Sequence, residues 1–344
     1  MHRKVWVSVI LAIFLLTIIT PSLAQNNVDS TTIHQKAVQY LVDNYNSTVG
    51  LIPETSGSNT YWLVSDNLLA YYALRNDDPT VSNEIATTLK NYVTSYNLLH
   101  DSNGLPISYK HEAIIGDVLP DQLRNPLQPY YDLNYTSNSN VVIEIDNTTN
   151  AVGWQNYADW VALEGISQFN NRSYTEANST FYQMVNSSMW NGYGFTDDAF
   201  KYRVENQSVI EYDTFKLGLA LILAKDLQIE NATFTNQCLS IIEQCQSPDG
   251  GIQTYYNFTS DGQFERLNDS ANAETTSIIA IATESATQPT PTPTLTPSPA
   301  SSSTPTPSIP EFPTVIVFLI ILAVGTVSEL FCMKLMVKPN VAKK

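Results

Sequence analysis

Apolar residues recur at helical spacing along most of the chain, in two kinds of segment that alternate. Four segments are amphipathic, which predicts helices that bury one face. They are residues 32–45, 79–96, 173–185 and 233–245. Four others are apolar nearly all round, which predicts helices in the interior of the domain. They are residues 66–74, 159–169, 213–224 and 274–282.

Each amphipathic segment is followed by a glycine turn, a loop and an apolar segment, so the pattern predicts four similar units. The turns are at Gly50, Gly104, Gly194 and Gly251. Recurrence of this kind is typical of stacked helical hairpins that share a core. We therefore expect an all-α domain, residues 26–285, with about four hairpins in which an outer helix precedes an inner one.

The first 25 residues have the pattern of a secretory signal peptide. Arg3 and Lys4 precede an apolar run over residues 5–19, and small residues around Ala24 supply a cleavage site. We expect the mature chain to begin after Ala24. An uncleaved anchor helix is the alternative, because the apolar run is long for a signal peptide.

The other end of the chain has the pattern of a membrane anchor. Residues 313–333 are almost entirely apolar, and about 20 such residues span a bilayer as a helix. Residues 334–344 form a lysine-rich tail, which the positive-inside rule places in the cytoplasm. The sequence therefore predicts a single-pass protein of the cell membrane whose N-terminal domain is extracellular.

Residues 286–312 connect the domain to this span, and proline alternates there with threonine or serine. Such composition favours an extended polyproline II stalk and is typical of O-glycosylated stalks. Pro310-Glu311-Phe312, the apolar span and the lysines, together the last 35 residues, resemble the archaeal PEF-type C-terminal sorting signal. The resemblance implies an archaeal surface protein whose tail is cut and replaced by a lipid anchor. A plain membrane helix is the alternative.

The charge of the chain excludes one class of function. The sequence has 17 Lys and Arg against 33 Asp and Glu, a net charge of −16, and both membrane ends are locally basic. The extracellular domain alone is therefore near −20. Nucleic-acid binding needs clustered basic residues, so we expect no nucleic-acid partner.

Charged residues make up only 15% of the chain, and Asn, Ser and Thr supply much of its polarity. Asn-x-Ser/Thr sequons in an exported domain are candidate N-glycosylation sites. The ten sequons are at Asn46, Asn134, Asn147, Asn171, Asn178, Asn186, Asn206, Asn231, Asn257 and Asn268. We expect several of them to be occupied.

The turn Gln246-Ser247-Pro248-Asp249-Gly250-Gly251 resembles the Gln-x-x-Asp-Gly-Gly turn of the terpenoid-cyclase and prenyltransferase toroids. The aromatic loops are similar to those of six-hairpin glycosidases, and by pattern the resemblance covers residues 29–286. It implies an α/α toroid. The Asp-rich diphosphate motif of the cyclases is absent from this chain, so their chemistry is not implied.

Each predicted inner helix has an acidic residue near its start. These candidate catalytic residues are Asp66, Asp159, Asp213 and Glu274. One interpretation is structural, because acids at helix starts accept orphan N–H groups and oppose the helix dipole. The other is a ring of carboxylates at a cleft, where two of them act as acid and base on a glycosidic bond.

Aromatic residues concentrate in the loops at the same end of the domain. The candidate ligand-binding residues among them are Trp62, Tyr109, Trp154, Tyr193 and Tyr255. Aromatic faces suit sugar rings, but tyrosine and tryptophan also fill junctions between helices. The sequence leaves both interpretations open.

The remaining reactive residue types predict neither a metal site nor a cofactor. Histidines are scattered without ligand spacing, and no phosphate-binding loop is present. We expect His111 to be a surface residue and Asp197 to lie in a solvated turn. Cys238 and Cys245 are too far apart along one helix for a disulfide, so they are expected to be buried thiols.

Three functions fit these patterns. The first is a membrane-anchored cell-surface glycoprotein whose loop-rich acidic rim binds glycan or peptide without turnover. The alternative is a carbohydrate-active enzyme, a glycoside hydrolase or polysaccharide lyase, that uses paired carboxylates. A third, purely structural role in a cell-surface layer needs no cleft.

Overall fold

Helices form where the hydrophobic pattern predicts them, in the part of the chain that the computed structural model describes. That part is residues 28–59, 62–98, 100–107, 111–116, 141–142, 153–186, 189–267 and 270–285. The predicted signal peptide, stalk, span and tail lie outside the described residues. So do the candidate Tyr109 and three of the sequons, Asn134, Asn147 and Asn268.

In chain order the described helices are α1 (Ser30–Asp43), α2 (Val64–Leu74), α3 (Pro79–Tyr96), α4 (Ala158–Asn170), α5 (Tyr174–Asn186), α6 (Asp198–Tyr202), α7 (Thr214–Asp226), α8 (Ala232–Cys245) and α9 (Ala273–Thr283). The amphipathic helices are α1, α3, α5 and α8. The helices α2, α4, α7 and α9 are buried nearly all round. The mainly α-helical class is thus confirmed.

Local sequence explains where these helices begin and which face they bury. The side chain of Asp78 accepts a hydrogen bond from Val81 N at 3.0 Å, and Pro79 occupies the first turn of α3. In α8 the apolar positions at spacings of three and four are buried, and the free thiols of Cys238 and Cys245 are among them. The prediction of buried thiols is confirmed.

Among the described residues, five short strands supplement the helices, and the sequence did not predict them. Strands β1 (Trp62–Leu63) and β2 (Val141–Val142) pair in parallel. Strands β3 (Tyr212–Asp213), β4 (Tyr255–Phe258) and β5 (Phe264–Arg266) form an antiparallel sheet in the order β3-β4-β5. Asp213 lies opposite Tyr255 in this sheet. Segments expected to be loops are therefore partly ordered by backbone hydrogen bonds.

The fourfold repeat is visible in the turns that end the outer helices. Each glycine turn is closed by one isolated antiparallel bridge. The bridges join Asn46 to Leu51, His100 to Pro106, Trp190 to Phe195, and Gln246 to Ile252. An apolar residue that follows each turn is buried, namely Leu51, Leu105, Phe195 and Ile252. The units recur at the predicted places.

The pairing of the helices differs from the expected hairpins. Among the outer helices, the one that packs most extensively on α2, α4 or α7 is the outer helix that follows it, which gives the pairs α2–α3, α4–α5 and α7–α8. The physical reason is the length of the connections, since only short turns lead from inner to outer helices whereas long segments lead back. The last inner helix, α9, packs on α1, the first helix of the chain.

The inner helices α4, α7, α9 and α2 pack side by side in that order. Their first turns lie at one end of the domain, where the glycine turns and the β3-β4-β5 sheet are found. We call this end the rim. Within the described ranges, no helix combines the length and the apolar character needed to cross a membrane.

Candidate functional site

The four candidate acids lie in or next to the first turns of the inner helices, as the sequence predicts. Asp66, Asp159 and Asp213 are buried, and Glu274 is half-buried. Asp213 is the N-cap residue of α7, but its side chain makes no capping hydrogen bond. Asn272, not Glu274, caps α9. For Asp213, the capping interpretation is therefore wrong, because its carboxylate binds cationic side chains.

These cations belong to a buried group that we call the Lys216 cluster, which comprises Lys216, Asp213, Asp197, Arg203 and Asp159. Lys216 Nζ lies 2.6 Å from Asp213 Oδ2 and 2.7 Å from Asp197 Oδ2. Arg203 Nη2 lies 2.7 Å from the same oxygen of Asp213. Asp159 contributes through its charge, which acts on Lys216.

Asp197 is fully buried, so the expectation of a solvated turn is wrong for it. Its carboxylate also accepts hydrogen bonds from Ala158 N at 2.9 Å and from Phe200 N at 3.1 Å. The residue thereby ties the start of α4 to α6 and to Lys216 of α7. Its half-buried neighbour in sequence, Asp198, pairs instead with Lys201.

The balance of charge keeps Lys216 protonated. Burial alone would lower the pKa of Lys216, but the carboxylates of Asp213, Asp159 and Asp197 outweigh burial and raise the pKa above its usual value. Burial likewise opposes the charge of Arg203, and Asp213 raises its pKa. Both cations are therefore held as fixed partners of the carboxylates.

The other two candidate acids have different partners. Glu274 Oε1 lies 3.1 Å from His111 Nε2, and His111 is buried, so the expectation of a surface histidine is wrong. Asp66 Oδ1 accepts a long hydrogen bond of 3.4 Å from Ser65 Oγ. The structure thus brings Asp159 and Asp213 together around Lys216, whereas Glu274 and Asp66 contact other residues.

The candidate aromatic residues also separate into different environments. Trp62 is only 3% exposed and belongs to the core, which leaves no face for a sugar ring. Trp154 is half-buried against the core. Tyr255 lies with its ring 5.4 Å from the Arg203 guanidinium. Tyr193 is 43% exposed, with its ring 4.6 Å from that of Phe258.

An open cavity adjoins the Lys216 cluster at the rim. It encloses about 560 Å³, and its lining includes Tyr157, Asp198, Tyr202, Arg203, Glu205 and Asn206. We call it the rim cavity. It is formed by α6 and by the π-helical turn Arg203–Gln207 that follows, and such turns are frequent at functional sites. Its size is in the range of small-ligand sites, roughly 300–1,000 Å³.

A second cavity of about 480 Å³ lies at the opposite end of the domain, lined by residues that include Leu221, Lys225 and Ala282. Lys225 Nζ donates there to Ile281 O at 2.8 Å, near the end of α9. This end has no exposed aromatic side chain in the cavity wall. The rim cavity has one, since Tyr202 is 59% exposed.

Sequence reasoning missed the residues that organise the rim, namely Lys216, Arg203 and Tyr202. One signal was present. Lys216 stands in a segment that is otherwise apolar all round, and a lysine there predicts a buried carboxylate partner. No local signal identified Asp197 as that partner, because the two residues are 19 positions apart in the sequence and meet only in the folded chain.

No protein-family model, curated protein or solved structure matches this chain. Among the described residues, no group of His, Cys, Asp or Glu side chains is arranged to hold a metal ion.

Proposed function

We propose that this protein is a membrane-anchored glycoprotein of the cell surface whose rim cavity binds a glycan without cleaving it. In this proposal residues 1–25 are a signal peptide, residues 286–312 a stalk, and residues 313–333 a membrane helix or a sorting signal. The patterns of the sequence support these assignments. Peptide binding and a carbohydrate-active enzyme remain as outcomes of the experiment below.

We also propose that the extracellular domain is an α/α-toroid-like array of four pairs of inner and outer helices, three of them hairpins and the fourth formed by α9 and α1. The contact of α9 with α1, which joins the last unit to the first, supports this architecture. The turn with the resemblance to the toroid families supports it too. Gln246 Nε2 donates to Ile33 O at 3.0 Å, so this turn fastens the fourth unit to the first helix.

The observation that carries the binding proposal is the rim cavity itself. Tyr202 offers an exposed ring and Tyr157 a half-buried one, and both belong to the cavity wall. Exposed Glu205 and Asn206 supply polar groups beside these rings. Aromatic faces next to hydrogen-bonding side chains suit a sugar, which has apolar faces and hydroxyl edges.

The state of the candidate acids supports binding over hydrolysis. A carboxylate pair that cleaves a glycosidic bond must reach the bond from an open cleft, at separations of roughly 5–10 Å. Asp213 is buried and shared between Lys216 and Arg203, and its charge is already compensated. Asp159 is buried beside the same lysine. These residues stabilise the rim from beneath the cavity.

A glycan array tests the proposal. The wild-type protein is expected to bind a defined set of glycans, and Tyr202→Ala to lose most of that binding. The matched control is Tyr182→Ala on α5, because Tyr182 is 42% exposed and does not line the rim cavity.

If Tyr202→Ala and Tyr182→Ala lose binding equally, or if both keep it, the assignment of the rim cavity as the binding site is contradicted. Release of shortened glycan by the wild type, abolished by Asp159→Asn, would establish the enzyme instead. If the protein binds members of a peptide library and no glycan on the array, the ligand of the rim cavity is a peptide and not a glycan.

A further inference from the structure

One predicted glycosylation site lies in the wall of the rim cavity. Asn206 lines the cavity, and the whole sequon, Asn206-Gln207-Ser208, is exposed. Asn206 Nδ2 donates to the backbone oxygen of Tyr202 at 3.0 Å, which fixes the amide group against the preceding turn. The turn ends at Ser208, whose φ is 57°. The sequon is therefore presented on a well-defined turn.

The other sequons that the structure describes in full are less accessible. Thr180, the hydroxyl residue of the Asn178 sequon, is buried, and its Oγ1 donates to Gln168 at 2.9 Å. Asn46 and Asn231 use their side-chain oxygens to accept backbone N–H groups. The Asn206 sequon alone among these fully described ones is exposed at all three positions.

We propose that Asn206 carries an N-linked glycan whose first sugars cover the mouth of the rim cavity and pack on Tyr202. This inference rests on the proposed function, because it makes glycosylation the device that closes the binding site to external glycans. An unoccupied Asn206 leaves the cavity open. The fraction of chains that carry a glycan at Asn206 then determines how many rim cavities are closed to external glycans.

The chemistry of attachment is compatible with the observed hydrogen bond. The transfer joins the anomeric carbon of a polyprenyl-phosphate-linked sugar donor to Asn206 Nδ2. One amide proton is released to water, and the phosphate carrier leaves as an anion with the electron pair of the broken carbon–oxygen bond. The amide keeps its second proton, which still donates to Tyr202 O. Because Asn206 and Tyr202 both line the rim cavity, the attached sugar starts in the same cavity wall as the Tyr202 ring, and aromatic packing holds it there.

The test uses the full chain, purified in detergent from a host that attaches N-glycans. Glycopeptide mass spectrometry reports occupancy at Asn206, and hydroxyl-radical footprinting reports the accessibility of Tyr202. Asn206→Gln and Ser208→Ala each remove the sequon, and Ser208→Ala leaves the asparagine in place. Asn171→Gln is the matched control, because Asn171 is exposed and follows the C-terminal end of α4. This end lies about 20 Å from the first turn of α4 at the rim.

We expect the oxidation rate of Tyr202 to rise severalfold in both sequon variants and to stay unchanged in Asn171→Gln. A wild-type chain without glycan at Asn206 would overturn the inference, as would an occupied Asn206 with unchanged oxidation of Tyr202. These readouts need no external ligand. If Tyr202 becomes accessible but the glycan array stays silent for Ser208→Ala, which keeps Asn206 in the cavity wall, the inference stands and the proposed function fails.

Discussion

Among single residues, Lys216 has the largest part in organising the rim. Its ammonium group pairs with Asp197 and Asp213, and Asp197 in turn accepts the backbone N–H of Ala158. One side chain thereby connects the first turns of α4 and α7 to α6. Buried ion pairs of this kind are sensitive to the loss of either partner, because the remaining charge stays buried without compensation.

Replacing Lys216 with methionine is therefore expected to destabilise the fold strongly. The free energy of unfolding should fall by about 3–5 kcal/mol in Lys216→Met, measured by chemical denaturation. The control is Lys201→Met, whose 55% exposed side chain pairs with Asp198, and whose loss should cost at most about 1 kcal/mol. Equal stability of the two variants would show that the cluster contributes little.

Asp226 gives the fold a specific dependence on pH. Burial raises the pKa of Asp226 to about 6, and the nearby Lys225 only partly opposes this. The folded state consequently binds more protons than the unfolded state between pH 4 and 6, so its stability decreases as the pH rises through this window. After allowance for partial exposure, the decrease is about 1–2 kcal/mol.

Asp226→Asn removes this contribution. Denaturation curves at a series of pH values should show the stability difference between wild type and variant changing from pH 4 to 6 and remaining constant above pH 7. A difference that is constant over the whole range would contradict the assignment.

At the level of elements, the turn between α8 and the sheet joins the two ends of the helical array. Gly250 has a φ of +96°, and a Cβ atom there would lie 2.1 Å from Lys36 O of α1. Gln246 Nε2 spans the same junction by donating to Gly250 O and Ile33 O. The glycine is required both by the backbone conformation and by the close approach of α1.

Gly250→Ala tests this junction. The control is Gly57→Ala, because Gly57 also has a positive φ but open space around its Cβ position. The control should lose about 1 kcal/mol of unfolding free energy through backbone strain alone, and Gly250→Ala a further 1–3 kcal/mol, roughly, from overpacking. Hydrogen exchange in α1 should increase only in Gly250→Ala, and an increase in neither variant would argue against the junction.

The hydrophobic pattern was sufficient to predict all eight long helices of the described residues, because the spacing of apolar positions follows the buried face of a helix. It could not predict their partners, because pairing depends on the connections. The turn from α4 to α5 comprises residues 171–173, and a connection this short favours antiparallel packing of the two helices. The β4–β5 hairpin also had a recognisable signal, Asp261-Gly262 between aromatic residues, which is typical of hairpin turns.

The candidate site was less predictable than the fold. The acids at the inner helix starts were located correctly, but their partners were not. Arg203 and Asp197 reach the cluster from α6 and its π-helical turn, which carry no strong periodicity of their own. The rim cavity depends on the same short elements, so its lining could be found only in the folded chain.

At the scale of the whole molecule, the sequence divides the protein between a strongly acidic central domain and two ends that are locally basic. Like charges at close range destabilise a compact fold, and the burial of Lys216 among carboxylates offsets part of that repulsion at the rim. In our proposal, the stalk holds this acidic domain outside the cell.

The processing of the chain gives a direct prediction at this scale. N-terminal sequencing of the protein isolated from membranes should read Gln25-Asn26-Asn27-Val28, because the predicted cleavage follows Ala24. Intact mass spectrometry of the same sample reports whether residues 311–344 are retained. Retention of Met1 would contradict the signal peptide and favour the uncleaved anchor helix.

The central claim is that the rim cavity binds a glycan and leaves it intact. Saturation-transfer NMR with an oligosaccharide chosen from the array measures both properties in one sample over time. We expect saturation to reach the sugar protons in the wild type, to be lost in Tyr202→Ala, and the oligosaccharide spectrum to stay constant for days. Growth of new reducing-end signals, or full saturation transfer in Tyr202→Ala, would contradict the account.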